Sequence, residues 1–204
     1  MENVALQSLT PLGEIANAYR SVQLTQHVKL RRGRMHEVTG ASSDIFAIIA
    51  ASKCEPDLIW IGLGRDIALL CPSGLYTYLN PERVIIVEAV SRAEILWAAD
   101  VALRAEGGFT VIADMPDALT LKESRRLQLA AEQGGGIGLI ILRGPANTSA
   151  AQTRWRCDPI ASDEPAWDWE CLKGKSGEAG RWNIRDAEVR YGEDHGDLSA
   201  SATA

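Results

Sequence analysis

Short apolar segments alternate with helix-forming segments through the middle of this 204-residue chain. The apolar segments are rich in β-branched residues and have the length of strands, as is typical of strands buried on both faces of a parallel sheet. They lie at residues 35–38, 58–63, 84–88, 109–113 and 137–142, and the helices predicted between them lie at 44–53, 91–105 and 121–133. Because the connections are short, the pattern predicts an α/β fold with right-handed crossovers and a mostly parallel sheet.

Capping signals mark the ends of two of these helices. Ser91 and Thr120 are each followed three residues later by a glutamate, which is the S/T-x-x-E pattern of a capping box. Gly107-Gly108 follows the first helix and the glycines at 134–136 follow the second. Glycine is the residue that most readily lets a chain leave a helix, so both helices have a predicted start and a predicted end.

The sequence pattern changes after residue 142. Strict alternation of apolar and polar residues at 153–157, 167–172 and 181–185 predicts antiparallel strands that extend the sheet. Four tryptophans fall in this last third, and most of them are predicted to lie in the sheet core. They are Trp155, Trp167, Trp169 and Trp182. A tryptophan on an exposed face would indicate a protein interface, so we expect the partner-binding surface here, with the last three as candidate contacts.

The predicted organisation is one core domain with an appendage at each end. Residues 1–32 contain an amphipathic stretch and a basic run, and they are expected to form an N-terminal arm or helix. Residues 33–190 form the core domain. The tail at 191–204 is acidic and rich in small residues, which predicts disorder.

Composition narrows the function classes. The formal net charge of −6 argues against a chain that coats nucleic acid by its net charge, although it leaves room for a local basic patch. The four cysteines are far apart and are predicted to be reduced, packed thiols. The three histidines lack the spacing of metal ligands, so neither a metal nor another cofactor is predicted. The absence of a basic leader and of a long apolar segment predicts a soluble cytoplasmic protein.

The stretch that begins at Gly40 lies where a phosphate-binding loop would leave a strand and open a helix. In the pattern G-x-x-x-x-G-K-[ST], backbone N–H groups and a lysine hold the phosphates, and a hydroxyl holds Mg²⁺. Counted from Gly40, the second glycine, the lysine and the hydroxyl positions are occupied by Ile45, Phe46 and Ala47. The loop is therefore degenerate, and no nucleotide binding is predicted.

The residues next to these positions favour structural roles. Ser42 and Ser43 could offer hydroxyls, but Asp44 would repel phosphate, and Ser43 or Asp44 is expected to cap the following helix. Asp114 ends a strand, where related ATPases place a metal-holding aspartate. Beside Pro116 it is predicted to be a turn residue and a vestige of that role. No catalytic residue is predicted.

Five arginines are candidates for contacts with DNA or with a partner. Two lie together in the helix at 121–133, and the others follow the last parallel strand or lie in the next predicted strand. Contacts of such residues with a nucleic-acid backbone would be non-specific and salt-sensitive. The candidates are Arg125, Arg126, Arg143, Arg154 and Arg156.

Several segments together resemble a known family. RMHEVTG, VIIVEA, LTLKESRRLQLAAE followed by GLIILR, and TRWRCDPI ahead of a Trp-rich end are similar to the inducible-mutagenesis protein A family, within the superfamily of RecA-type recombinases. The resemblance covers residues 33–185 and is most specific in SRRLQLAAE and TRWR.

The resemblance implies a RecA-like P-loop-type core and an accessory role in DNA repair by translesion synthesis during the bacterial DNA-damage (SOS) response. Members of the family accompany a catalytically inactive Y-family polymerase homologue and an error-prone replicative-type polymerase of the same cassette. These two proteins are the expected partners, and the RecA recombinase, DNA or a second copy of the chain are further candidates. Active recombinases carry a catalytic glutamate near the position of Gly64-Arg65. Strand exchange by this chain alone is therefore not expected.

Two other functions stay open. Small damage-induced RecA-like proteins without a phosphate loop can block the tubulin-like division protein, and cell filamentation on overexpression would favour that function. A nucleotide-dependent, recombinase-like ATPase would need an unusual loop, and ATP binding would favour it.

Overall fold

The computed structural model describes residues 21–55, 57–176 and 179–190. The strands are β1 Ser21–Gln23, β2 Lys29–Arg31, β3 Arg34–Thr39, β4 Leu58–Leu63, β5 Val84–Ala89, β6 Thr110–Met115, β7 Ile137–Leu142, β8 Thr153–Pro159, β9 Ala166–Gly174 and β10 Gly180–Arg185. The helices are α1 Ser43–Ser52, α2 Gly64–Ile67, α3 Pro72–Tyr76, α4 Arg92–Arg104 and α5 Leu121–Gly134, with 3₁₀ turns at Pro81–Arg83 and Asp186–Glu188. Each strand and helix predicted from the apolar pattern is present within a few residues of its expected bounds.

Eight of the strands form one sheet in the order β10-β9-β8-β3-β7-β6-β4-β5. Neighbouring strands from β8 to β5 are parallel, whereas β9 and β10 continue the sheet in antiparallel pairing. Strand β3 lies in the interior of the sheet, where Val38 pairs with Ile141 of β7 and with Trp155 of β8. The predicted α/β class is confirmed, and the architecture is consistent with a RecA-like core.

The predicted capping signals operate at both long helices. At α5, the Thr120 hydroxyl accepts from the Glu123 N–H at 3.3 Å and the Glu123 carboxylate accepts from the Thr120 N–H at 2.8 Å. At α4, Ser91 caps in the same way, while the Glu94 carboxylate accepts from the N–H of Val90. Helix α5 ends at Gly135, whose φ of +74° is the left-handed conformation that glycine adopts without strain.

The helices divide the core into two layers. Helices α4 and α5 pack on one face of the sheet, around a cluster that includes Ile95, Leu103 and Leu127. On the other face, α1 packs against β3, β7 and β8. There Phe46 is fully buried, with its ring centroid 5.5 Å from that of Trp155 and 4.6 Å from that of Trp169. This aromatic cluster joins α1 to the antiparallel extension of the sheet.

Part of the predicted N-terminal arm is a β-hairpin rather than a helix. Strands β1 and β2 pair antiparallel, with Val22 opposite Leu30. These two residues, together with Leu24 and Val28, are buried in the same core layer as α1. Their alternation buries one face of the hairpin, which explains why the segment is not helical. Residues 1–20 and the tail at 191–204 lie outside the described residues.

Strand β5 differs from its prediction as a strand buried on both faces. It is the last strand of the sheet, and Ile85 and Ile86 are 48% and 46% exposed. Its composition resembles that of the buried strand β4, but no further strand or helix covers its outer side among the described residues. An apolar run indicates a strand, yet it does not say whether the strand lies inside a sheet or at its edge.

We expect Phe46→Ala to lower the free energy of unfolding by about 3–5 kcal/mol, because it removes an aromatic ring from a packed core. Urea unfolding followed by tryptophan fluorescence measures this. Leu172→Ala, at a residue that is 49% exposed, is the control and should change stability far less. A loss of less than about 1 kcal/mol for Phe46→Ala would contradict the role assigned to the aromatic cluster.

Candidate functional site

The candidate site lies at the carboxyl ends of β3 and β6, where the chain leaves β3 and enters α1. Ligands of open α/β sheets bind at this end of the strands, and a helix N-terminus there offers unpaired N–H groups. Ser42 is the residue that caps α1, although its side chain makes no capping hydrogen bond. The expectation that Ser43 or Asp44 is the cap is therefore wrong by one position, since both already belong to the first turn.

The backbone N–H groups of this loop are occupied by strand β8. The N–H of Ala41 donates to Asp158 Oδ1 at 2.9 Å, and the N–H of Ser42 donates to the carbonyl of Cys157 at 2.9 Å. The hydrogen bond from Ala41 is the main reason that the pKa of Asp158 is lowered. The loop therefore uses on its own sheet the donors that a phosphate-binding loop presents to its ligand.

Gly40 makes this close approach to β8 feasible. Its φ of +98° lies in the region that favours glycine, and a Cβ at this position would stand 2.3 Å from the carbonyl oxygen of Cys157. The glycine that begins the degenerate motif is therefore required by packing against β8, independently of any phosphate.

The lysine and hydroxyl positions of the motif face the core. Phe46 and Ala47 are both fully buried in the layer beneath the sheet. A lysine in place of Phe46 would bring a charge into the aromatic cluster, where burial of an unpaired charge is costly. The core explains why an aromatic residue stands here.

Arg143 bridges the two acids of the site. Its Nε and one terminal nitrogen donate to Asp114 at 2.8 and 2.7 Å, and the guanidinium also donates to Asp44 at 2.6 and 3.2 Å. The Asp114 side chain is only 4% exposed. Arg143 thus holds the ends of β6 and β7 against the first turn of α1, and its charge stands between two carboxylates.

Burial and charge act in opposite directions on Asp114. Burial raises the pKa of this carboxyl, Arg143 lowers it, and Asp44 and Asp66 raise it further, with a net rise. The hydrogen bond to Asp114 is in turn the largest cause of the raised pKa of Arg143. Arg143 therefore offsets part of the rise in the pKa of Asp114 that burial causes.

A cavity of about 590 Å³ opens beside this bridge. Its walls are mostly apolar and include Trp60, Leu75 and Tyr78. Its polar end carries the carboxylates of Asp44, Asp66 and Asp114 and the single guanidinium of Arg143. With three acids against one base, this end of the cavity repels phosphate groups rather than attracting them.

Known relatives of the chain include the protein ImuA from two strains of Caulobacter vibrioides. Each is 29% identical to this chain over an alignment of 192 residues, which covers 78% of this chain and 78% of the relative. The chain is thus similar to ImuA over most of its length. This similarity confirms the family resemblance predicted from the sequence. No protein-family model matches the chain.

The five candidate arginines of this ImuA-like chain do not share one environment. Arg143 belongs to the bridge described above, and Arg154 pairs with the buried Glu37, with its Nε 2.8 Å from Glu37 Oε2. Both guanidinium groups are thus committed to internal carboxylates. As contacts for DNA or a partner, these two candidates lack support from the structure, because moving them would leave buried acids unpaired.

The other three candidate arginines lie at the surface. Arg126 pairs with Asp100 of α4 at 3.0 Å, and Arg156 pairs with Asp158 at 2.6 Å. Arg125 is exposed and has no ion-pair partner among the described residues. Of the five, Arg125 is the cation that the structure leaves most available.

The tryptophans predicted as contacts are part of the core. Trp169 is fully buried, Trp167 is 6% exposed, and Trp182 is partly buried against Trp155 at a centroid distance of 5.8 Å. Those on β8 and β9 point to the same side of the sheet, where Phe46 packs between them. The prediction that most of these tryptophans lie in the sheet core is confirmed. As candidate contacts for a partner, Trp167 and Trp169 lack support from the structure, because the alternation buries them.

Two residues that shape the site, Cys157 and Asp158, are missing from the sequence-based candidates. They follow the loop by more than 100 residues and reach it only because β8 pairs with β3. Their local sequence, RCDP, carries no signal of this contact. A long-range pairing of this kind becomes visible only once the strand order is known.

The four cysteines lie in the described residues and form no disulfide among them. Cys54, Cys157 and Cys171 are buried and Cys71 is exposed, and burial raises the pKa of Cys157. The part of the chain that the structure describes contains no group of three or more His, Cys, Asp or Glu residues placed to hold a metal ion. Within the same ranges, no helix has the length and apolar character needed to cross a membrane.

We expect Arg143→Met to destabilise the protein by about 1–3 kcal/mol at neutral pH, because Asp114 is left buried without its partner. Without Arg143 the pKa of Asp114 rises further, and a carboxyl with a raised pKa in the folded state loses stability as pH rises through that pKa. The deficit relative to the wild type should therefore shrink as pH falls from about 7 to about 4.5.

Urea unfolding of both proteins at the two pH values measures this deficit. The double variant Arg143→Met, Asp114→Asn is the matched control and should recover much of the lost stability, since neither charge is left alone. A deficit that is equal at both pH values would contradict the assigned bridge.

Proposed function

We propose that this ImuA-like chain is a non-catalytic, RecA-like accessory protein of error-prone translesion synthesis in the bacterial DNA-damage response. The similarity to ImuA supports involvement in damage-inducible mutagenesis. The finer proposal is that the chain acts through contacts with polymerase-type proteins and does not turn over nucleotide.

The proposal rests mainly on the internal occupation of the phosphate position. Two N–H groups of the loop, those of Ala41 and Ser42, bond to β8, and the guanidinium of Arg143 stands between two carboxylates. A triphosphate would have to break these bonds and enter a site with an excess of carboxylates. The loop therefore serves the fold, as expected of a scaffold that has no nucleotide to hold.

Surface charge supports a protein partner over a nucleic acid. The formal net charge is −6, and two of the five candidate arginines are committed to buried carboxylates. DNA binding by phosphate contacts needs several free cations on one surface. We therefore propose that the Y-family polymerase homologue of the cassette is the direct partner, and that the error-prone polymerase is engaged with it.

Isothermal titration of the purified chain with Mg²⁺-ATP tests the proposed loss of nucleotide binding. We expect no saturable binding with a Kd below about 1 mM. An active RecA recombinase titrated under the same conditions is the positive control. Micromolar binding would contradict the proposal and favour the nucleotide-dependent alternative.

Direct binding to the Y-family polymerase homologue is the second test. We expect a complex with a Kd of about 1 μM or tighter by biolayer interferometry with both purified proteins. A catalytically active Y-family polymerase from outside the cassette is the control and should not bind. Failure of the homologue to bind would contradict the accessory function. Cell filamentation on overexpression of the chain would also contradict it.

A further inference from the structure

The β5 edge of the sheet is apolar on both faces. Ile85 and Ile86 of β5 point to opposite faces, as neighbours in a strand do, and each is about half exposed. The outer backbone groups of β5 have no pairing strand among the described residues. Natural sheets protect such edges with lysine, proline or a covering element, whereas β5 reads VIIVEA. The strand is thus open to pairing with another extended segment.

Helix α4, which lies next to this edge, also carries exposed apolar residues. It packs against β5, and Trp97 and Val101 stand one turn apart on its outer side, 63% and 50% exposed. Val90, in the turn between β5 and α4, is 83% exposed. Trp97 is the most exposed of the six tryptophans, all of which lie in the described ranges. Exposed apolar residues gathered in this way are typical of a binding surface.

The charge at the edge is negative and unpaired. Glu88 is the one charged residue of β5, and it is exposed with no hydrogen bond or ion pair among the described residues. A partner that complements this edge has to supply apolar side chains on both faces and a basic side chain opposite Glu88.

A second copy of the chain does not supply that basic side chain. In a two-fold antiparallel pairing of β5 with itself, residues directly opposite one another point to the same face. Glu88 would then face Glu82, Val84, Ile86 or Glu88 of the other copy, depending on register. None of these is basic, so the edge fits a different protein better than it fits itself.

We propose that β5 and the outer side of α4 form the docking surface for the polymerase-type partner, which adds an extended segment to the β5 edge. Backbone hydrogen bonds align the segment along β5, its apolar side chains cover Ile85 and Ile86, and a lysine or arginine pairs with Glu88. Trp97 and Val101 are covered from the side. This assignment rests on the proposed function, because it names the surface that the same partner uses.

Binding of the purified Y-family polymerase homologue to edge variants of the full chain tests the assignment. We expect Ile86→Lys to weaken the complex about tenfold or more, because it places a charge in the apolar contact. Glu88→Gln should weaken it less and reduce its dependence on salt. Leu172→Lys is the matched control, at an apolar residue of similar exposure on β9, and should bind like the wild type.

Hydrogen exchange reports on the strand addition itself. Complex formation should slow exchange of the β5 amides at residues 84–89, which contact through side chains alone would not do. Unchanged thermal unfolding of Ile86→Lys excludes misfolding as the cause of weaker binding. Glu88→Gln introduces no new charge, and its thermal unfolding should also match that of the wild type.

The possible outcomes distinguish a failure of the docking surface from a failure of the accessory function. A wild-type complex that Ile86→Lys and Glu88→Gln leave unchanged overturns the docking surface and leaves the accessory function standing. A wild-type chain that does not bind the homologue overturns the accessory function and this surface with it. A wild-type dimer that Ile86→Lys converts to a monomer, by light scattering, assigns the edge to a second copy and also overturns the proposal.

Discussion

The guanidinium of Arg143 connects two strands of the sheet with helix α1, and it separates two carboxylates that would otherwise repel each other. It begins the loop after β7, and it pairs with Asp114 of β6 and with Asp44 in the first turn of α1. Without it, two carboxylates would face one another at the helix N-terminus, one of them almost fully buried. P-loop ATPases place metal and phosphate at this end of the sheet. Here a side chain of the protein supplies a positive charge between the two carboxylates.

The two edges of the sheet, at β10 and at β5, differ in how far their apolar side chains are buried. At the β10 end, the antiparallel strands bury their tryptophans on the layer of α1, and the loop after β3 bonds to β8. Both β10 and β5 are edge strands, but at the β10 end the tryptophans are buried or partly buried by internal contacts. At the β5 end, apolar side chains remain exposed. A partner would therefore bury the most exposed apolar surface at the β5 edge, which is the edge farthest from the Trp-rich strands.

Sequence periodicity predicted the elements well but not their position in the sheet. The capping boxes at Ser91 and Thr120 are local, and so they could be recognised from residues three apart. Strands β4 and β5 have nearly the same apolar composition, yet one is interior and the other is the edge. The bond from Ala41 to Asp158 and the bridge of Arg143 join residues far apart in the chain. Such contacts follow from strand order, which local patterns do not contain.

The coupling of these contacts also bears on what a phosphate site at this position would require. A lysine at Phe46 would enter the aromatic cluster, and a loop free to bind phosphate would have to leave β8. Removal of Arg143 would expose the mutual repulsion of Asp44 and Asp114. Each of these three changes lowers stability when it is made alone. Because the groups share partners, their effects on stability are not additive. Under the proposed function, this interdependence maintains the core as a scaffold: selection for a stable fold by itself keeps the phosphate position closed.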